Sequence, residues 1–276
     1  MRKLGITRCG GMEFLWGNRT YIMGIINLDP DSFSGDGIGS DLDAIVPRAH
    51  RLVAEGADII DIGGESTRPS APPLPTEAEL ARVIPAIERL AAEIEAPISI
   101  DTYKAEVGRQ AVAAGASMIN DVLGLKHSPD LATAAAESGV PLVICQNQRD
   151  RPYRDLFTDL ASSLSSSIGL ARDAGVDADN IIIDPGLGFG KTLEQNLEII
   201  RRLGELRSLG FPIIIGPSRK SMIGLVLDLP VEERLEGTAA AVAIGIANGA
   251  DIVRVHDVAQ MARVSRMSDA IVRAGG

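Results

Sequence analysis

Aromatic residues are scarce in this 276-residue chain: one Trp, three Tyr and five Phe, 3% in all. The core must therefore be built from Ala, Val, Ile and Leu. Positive charge is also short. Twenty-seven Lys and Arg face 37 Asp and Glu, a net charge of −10. That argues against nucleic acid or an anionic membrane as a partner. Any anion site must be a local cluster working against the overall field. No uninterrupted apolar run approaches ~18 residues, so no transmembrane helix is indicated. The opening "MRKLGITRCGGMEF" lacks the apolar stretch of a signal peptide. Two cysteines do not make a disulfide framework, and the sequence reads as cytoplasmic. The remaining composition, 45% hydrophobic and 23% charged, is that of an ordinary globular protein. No linker or composition break divides the chain, so residues 1–276 read as one domain.

What is present has a rhythm. Eight short apolar runs recur: "YIMGIIN" (21–27), "DIIDIG" (58–63), "PISID" (97–101), "SMIND" (117–121), "PLVIC" (141–145), "NIIIDP" (180–185), "PIIIG" (212–216) and "DIVRVH" (251–256). Continuous apolar runs suit strands buried on both faces, as in a parallel sheet. Helical stripes lie between them. Leu80, Val83, Ile84, Ile87, Leu90 and Ile94 follow the one-face spacing, and Leu193, Leu197, Ile200, Leu203 and Leu206 approximate it. Glycine stops, in "EGAD", "AGAS", "SGVP", "LGFP" and "NGAD", precede five of the runs. Eight strands alternating with helices predict a (β/α)₈ TIM barrel; a doubly wound open sheet is the alternative. The glycine turns of "LGITRCGGMEFLWGNRTYIMG" predict a short N-terminal hairpin closing the bottom of the barrel, with Trp16 packing there. Cys9 then lies at the closed end and Cys145 at the open end. A strand of five to seven residues spans ~17–23 Å, and a disulfide needs Cα atoms within ~7 Å, so both thiols are expected to be free.

The stretch "IIIDPGLGFGKT" (181–192) looks like a phosphate-cradling loop and fails the spacing. In G-x-x-x-x-G-K-[ST], with Gly190-Lys191-Thr192 at the end, the first glycine falls at Pro185. In G-x-G-x-x-G, after Gly186 and Gly188, the third falls at Lys191.

Active sites of such barrels lie at the C-terminal ends of the strands. Those ends read Asn27, Asp61, Asp101, Asn120-Asp121 and Asp184. Run seven leads into Ser218-Arg219-Lys220, and run eight carries Arg254 and His256. Single acids after strands can be helix caps; a nearly complete polar ring at one mouth points to a site. Asp101, Asn120, Asp184 and Lys220 offer the donors and acceptors that a heteroaromatic ring with an amide and an exocyclic amine needs. Arg254 and His256, two apart on a strand, share a face. With Arg68 they make an anion site suited to phosphate, and Asn27 offers a neutral oxygen for Mg²⁺ on a diphosphate. Phe189, between two glycines, can offer its ring to a flat substrate.

These residues stand in segments that together resemble the dihydropteroate synthase family over nearly the whole chain: "MGIINLDPDSFSGDG" (23–37), "DIGGESTRPSA" (61–71), "SIDTYK" (99–104), "MINDV" (118–122), "DPGLGFGKT" (184–192), "SRKSMIG" (218–224) and "RVHDV" (254–258). The resemblance implies a transferase of folate biosynthesis. It joins 4-aminobenzoate to 6-hydroxymethyl-7,8-dihydropterin diphosphate and releases diphosphate. It further implies that Asp101, Asn120, Asp184 and Lys220 hold the pterin, and that Asn27, Thr67, Arg68, Arg254 and His256 hold the diphosphate, with Mg²⁺ on Asn27. Phe33, Pro69, Phe189, Lys220 and Ser221 receive the aminobenzoate. Asp101, Asp184, Lys220 and Arg254 carry the chemistry. Loops 28–39 and 63–75 are expected to close over the substrates. The family also implies a homodimer and a sulfonamide target, or an insensitive variant if those loops are reshaped.

Two departures stand out. Asp29 occupies a position where the family usually has Thr. "CQNQ", Cys145 to Gln148, replaces a Met-His-Met stretch and makes that wall of the pterin pocket more polar. Two rival readings accompany the main one. A methyltetrahydrofolate-binding methyltransferase also holds a pterin in a barrel but needs no diphosphate site. A non-catalytic pterin-binding paralogue would show no turnover.

Overall fold

The computed structural model describes residues 4–29, 42–66, 72–149 and 152–273. Phe33, Thr67, Arg68 and Pro69 lie outside them. A hairpin comes first, β1 (Ile6–Cys9) against β2 (Met12–Leu15), antiparallel with Cys9 opposite Met12. Eight parallel strands follow: β3 (Tyr21–Asn27), β4 (Ile59–Gly63), β5 (Ile98–Asp101), β6 (Met118–Asp121), β7 (Leu142–Cys145), β8 (Ile181–Asp184), β9 (Ile214–Ile215) and β10 (Ile252–Val255). Their spatial order is β8-β7-β6-β5-β4-β3-β10-β9. The ends of that sheet meet: Ile183 bridges Ile213 in parallel, and the Ile183 N–H donates to the Pro212 carbonyl at 2.9 Å. The expected barrel is closed.

Helices cover the outside: α1 (Leu42–Glu55), α2 (Thr76–Glu93), α3 (Ala105–Ala113), α4 (Asp130–Ser138), α5 (Leu156–Asp173) and α6 (Leu193–Arg202) alternate with strands. Two helices, α7 (Ser221–Leu227) and α8 (Leu235–Ala247), lie between β9 and β10, and α9 (Val258–Val272) follows β10. The five stop glycines, Gly56, Gly115, Gly139, Gly210 and Gly249, all have the positive φ that lets a chain leave a helix. The α2 stripe buries Val83, Ile87 and Leu90 as its spacing requires. The second stripe holds at Ile200, Leu203 and Leu206, all buried, and is corrected at Leu197. Leu197 is 42% exposed, while Asn196, Ile199 and Ile200 turn inward. A capping box between Thr192 and Gln195 sets the phase of α6, and the chain tightens to a 3₁₀ helix from Leu203 to Leu209.

Strand alternation sorts the side chains into two cores. Outward residues such as Ile60, Ile100, Ile119, Ile144 and Ile183 meet the helices. Inward residues Met23, Ile59, Met118, Val143, Ile182, Ile214 and Ile252 form an apolar layer across the barrel, sealed from below by Phe14, Tyr21 and Cys9. Phe14 is fully buried, and Trp16 stacks on it at 5.6 Å between centroids. The Trp16 indole N–H donates to Thr7 Oγ1 at 3.0 Å. The hairpin thus plugs the bottom, and the two cysteines are buried and free, as expected. Burial pushes the Cys9 thiol up to about 11.

Candidate active site

Two residues beyond six of the apolar inward positions, the strands present Asp61, Asn120, Cys145, Asp184, Gly216 and Arg254, and on β5 Asp101 follows the buried Ser99; only β3 departs, with Ile25 after Met23 and Asn27 at its end. Side chains two apart share a face, so the polar ring sits one pleat above an apolar floor. The register aligns it: Gly63 pairs with Asp101, Asp101 with Asn120, and Cys145 with Asp184.

Arg254 lies at the centre. Its Nε donates to Asp61 Oδ2 at 2.6 Å and its Nη2 to Asp101 Oδ2 at 2.7 Å. Asn120 Nδ2 reaches the same Asp61 oxygen at 3.4 Å. Two of the five guanidinium donors are engaged in this way. Asp61 was read only as a strand-end acid. Its place two residues after Ile59, on the face of the ring, was the signal available for a role. Two carboxylates against one guanidinium leave the centre negative. Burial drives the Asp101 carboxyl up to about 7, with Arg254 opposing and Asp61 adding to the rise. For Arg254, burial alone would lower the pKa; the attraction of Asp61 and Asp101 overcomes it and raises the value above the usual one. Asp61 Oδ1 and Asp101 Oδ1 are buried and have no hydrogen-bond partner among the described residues. Buried acceptors left so are costly, and here they face a mouth that a ligand with N–H donors could complete.

A second group surrounds Asp184. The Gly186 N–H donates to Asp184 Oδ1 at 2.7 Å. Burial raises the Asp184 carboxyl, against the pull of Lys220, and burial lowers the Lys220 amine, against the pull of Asp184. Lys220 Nζ donates to the Leu187 carbonyl and sits 4.6 Å from the centroid of Phe189. The Arg149 guanidinium is 5.3 Å from that same ring. Phe189 is thus a half-buried ring carrying two cations rather than a core residue.

The glycine loop explains its own composition. Gly186 has φ +72°, and a Cβ there would lie 1.9 Å from the Gln146 carbonyl oxygen; on Gly190 it would lie 1.8 Å from that of Gln148. The loop is pressed against residues 146–148. Lys191, the lysine that would meet a phosphate in a nucleotide loop, donates instead to Gln146 O, Gln146 Oε1, Gly186 O and Phe189 O at 2.8–3.2 Å. Burial lowers its amine to about 8. Asn196 completes the latch, accepting the Gly188 N–H at 2.6 Å and donating to Thr192 O at 2.7 Å. The sequence gives Lys191 no role beyond the rejected nucleotide loop, and no motif marks Asn196.

On the opposite side His256 Nδ1 is 2.8 Å from Ser218 Oγ. Asn27 ends β3 opposite Gly63, where a Cβ would lie 3.7 Å from Asn27 Oδ1 and 3.8 Å from Asp101 Oδ2. Ser221, exposed, opens α7. No cluster of three His, Cys, Asp or Glu fit to hold a metal occurs among the described residues. Asp121, next to Asn120, is turned away and accepts the N–H groups of Leu123 and Leu125 in its own loop, the bland role for a strand-end acid. The departures also find places. Asp29 pairs with Arg82 at 3.5 Å, and Arg82 donates to the Gly64 carbonyl at 2.9 Å. Cys145 is buried in the ring.

Residues 23–256 match the model of the family described as pterin binding enzyme. A dihydropteroate synthase of Clostridium beijerinckii is 50% identical over 267 residues, 96% of this chain and 99% of its own. The crystal structure of a dihydropteroate synthase from Clostridium difficile in the presence of pteroic acid superposes with a TM-score of 0.90. It is 48% identical and spans 94% of this chain and 99% of that one. A Xanthomonas albilineans dihydropteroate synthase with 4-aminobenzoic acid gives 0.89 at 40% identity, with 96% and 97% covered. The barrel, its polar mouth and these likenesses agree: the chain belongs to the pterin-binding enzymes, among the dihydropteroate synthases.

Proposed function

We propose that this enzyme condenses 4-aminobenzoate with 6-hydroxymethyl-7,8-dihydropterin diphosphate to give 7,8-dihydropteroate and diphosphate. The observation that carries the reading is the ring of Asp61 and Asn120, both buried, with Asp101 and Asp184, both partly buried, in which two carboxylate oxygens lack a partner among the described residues. A pterin edge, with its ring N–H and exocyclic amine, supplies the missing donors. Asn120, Asp101, Asp184 and Lys220 then hold the ring, with Lys220 also placing Phe189 beside it.

Chemistry follows from charge. The methylene–oxygen bond to diphosphate breaks, and its electrons leave with the diphosphate. The methylene is left cationic and conjugated to the pterin. Asp101 and Asp184, both partly buried, oppose that cation at close range. The lone pair of the arylamine forms the new carbon–nitrogen bond, and the amine proton is released. Phe189, Lys220 and Ser221 orient the aminobenzoate, and holding the two partners in line contributes most of the rest. Arg254, using donors not given to Asp61 and Asp101, and His256 receive the diphosphate. Mg²⁺ bound to the diphosphate supplies further positive charge to the leaving group. The protein fits such an ion through Asn27 Oδ1 beside the space kept open at Gly63. Asn27 would be the residue that holds such an ion, giving it one neutral oxygen.

A homodimer and a cytoplasmic setting complete the reading. Exposed apolar side chains gather on α7, α8 and α9: Leu225, Val226, Ile244, Met267 and Ile271. Two buried free thiols suit a reducing compartment, and no helix among the described residues is long and apolar enough to cross a membrane. The reaction is tested by mixing the purified protein with the two substrates, with and without Mg²⁺. Dihydropteroate should form and should depend on the ion; no product in its presence would overturn the proposal.

A further inference from the structure

The reaction above uses His256 but gives no role to Ser218, which is bound to it. Ser218 is buried, 4% exposed, and its hydroxyl meets His256 twice. The His256 backbone N–H donates to Ser218 Oγ at 3.2 Å, and the same oxygen is 2.8 Å from His256 Nδ1. Among the described residues the hydroxyl has no other partner. Two assignments are open for the second contact. If Nδ1–H donated to the oxygen, Ser218 would accept twice and its own hydrogen would be buried without an acceptor, a penalty of about 1–3 kcal/mol. If the hydroxyl donates to Nδ1, the hydroxyl hydrogen, the hydroxyl oxygen and Nδ1 are all matched. The neutral imidazole then carries its hydrogen on Nε2, the ring edge away from Ser218.

The pair is held rigidly. One residue along each chain, Arg219 forks onto Asp257 with contacts of 3.0 and 2.6 Å. Arg219 has φ +55°, a left-handed backbone that ordinary side chains rarely adopt. Its N–H donates to Thr238 Oγ1 at 3.0 Å, and Arg234 Nη1 donates to its carbonyl at 3.0 Å. A strained turn fastened at four points delivers Ser218 to His256 on one side and Lys220 to Phe189 on the other.

We propose that Ser218 is a positioning residue that fixes the tautomer of His256. It keeps Nε2–H as a donor toward the departing diphosphate without requiring the imidazole to be charged. The assignment of the anion to His256 rests on the function proposed above; the tautomer itself does not. The experiment is nitrogen-15 NMR of the imidazoles in the full-length protein, about two pH units above the ordinary histidine pKa of ~6.5. The protein has three histidines, and the His256→Gln spectrum identifies the relevant signals. Wild type should show His256 in the Nε2–H form alone. Ser218→Ala should show a mixture, and Ser218→Thr, which keeps the hydroxyl, should restore the single form. With both substrates present, Ser218→Ala should lower kcat by roughly 10-fold, about one lost hydrogen bond's worth, with little change in KM for aminobenzoate. An Nδ1–H form in wild type, or an unchanged Ser218→Ala spectrum, would overturn the inference. The spectra need no turnover, so they decide it even if the proposed reaction fails.

Discussion

Charge at single residues decides what this barrel mouth can do. Asp184 ends β8 with one oxygen held by Gly186 N–H at 2.7 Å and with Lys220 opposing its rise. Asp184→Asn keeps the shape and removes the charge that the proposed mechanism sets against the pterin cation. The expected result is a folded protein with kcat lowered by roughly 10²-fold, read from steady-state rates beside a circular dichroism spectrum. Asp101 gives the pH dependence. Its carboxyl is raised by burial to about 7, and the ionised form is the one that opposes the cation. The kcat/KM for the pterin substrate should therefore climb as pH rises through about 7. Stability runs the other way. The native state holds this proton to higher pH than the unfolded chain, so ΔG of unfolding falls as pH rises from about 4, the unfolded value, to about 7. Denaturant midpoints at several pH values check the sign, and Asp101→Asn should flatten that segment of the curve.

At the scale of elements, the glycine loop between β8 and α6 is a latch rather than a cradle. Lys191 joins Gln146, Gly186 and Phe189 through four acceptors, and Asn196 ties Gly188 to the start of α6. Lys191→Met removes the donors and leaves buried carbonyls unmatched. The expected cost is roughly 3 kcal/mol, with a raised KM for aminobenzoate because Phe189 loses its anchor. Urea unfolding and steady-state kinetics measure the two effects; an unchanged stability would remove the latch role. A similar fastening holds the neighbouring segment. Lys104 at the start of α3 binds Glu65, Glu79 and the Leu74 carbonyl, and Arg82 joins Asp29 to Gly64. Asp29, where the family usually has Thr, thereby ties the end of β3 to the end of β4.

For the whole molecule, the exposed apolar side chains of α7, α8 and α9 are the candidate for the proposed dimer contact. Leu225 is 67% exposed and Ile271 68%, and α8 packs against both flanking helices. Covering that face with a second copy would remove the patch from water. Leu225→Lys with Ile271→Lys should convert a dimer to a monomer in sedimentation velocity, with the far-ultraviolet spectrum retained. A wild-type monomer at micromolar concentration would remove the dimer from the reading.

Much of this was set by the order of residues alone. Eight apolar runs, five of them preceded by glycine stops, point to a parallel sheet wrapped in helices, and its plug and the polar ends of its strands follow from pattern and period; closure into a barrel rather than an open sheet was decided by the pairing of Ile183 with Ile213. The sequence alone places Asn27, Asp101, Asn120, Asp184, Arg254 and His256 at or beside those ends and Lys220 in the turn that follows one. Tertiary structure decided which of them meet. The Asp61–Arg254–Asp101 centre joins positions up to 193 apart in sequence, and Ser218 meets His256 across 38. No local periodicity records such contacts, because they depend on how eight strands are staggered as the sheet closes. The phase of α6 was decided there too. Leu197 fits the stripe, but the capping box and the glycine loop turned Asn196 inward instead, since unsatisfied loop N–H and carbonyl groups cost more than one exposed leucine.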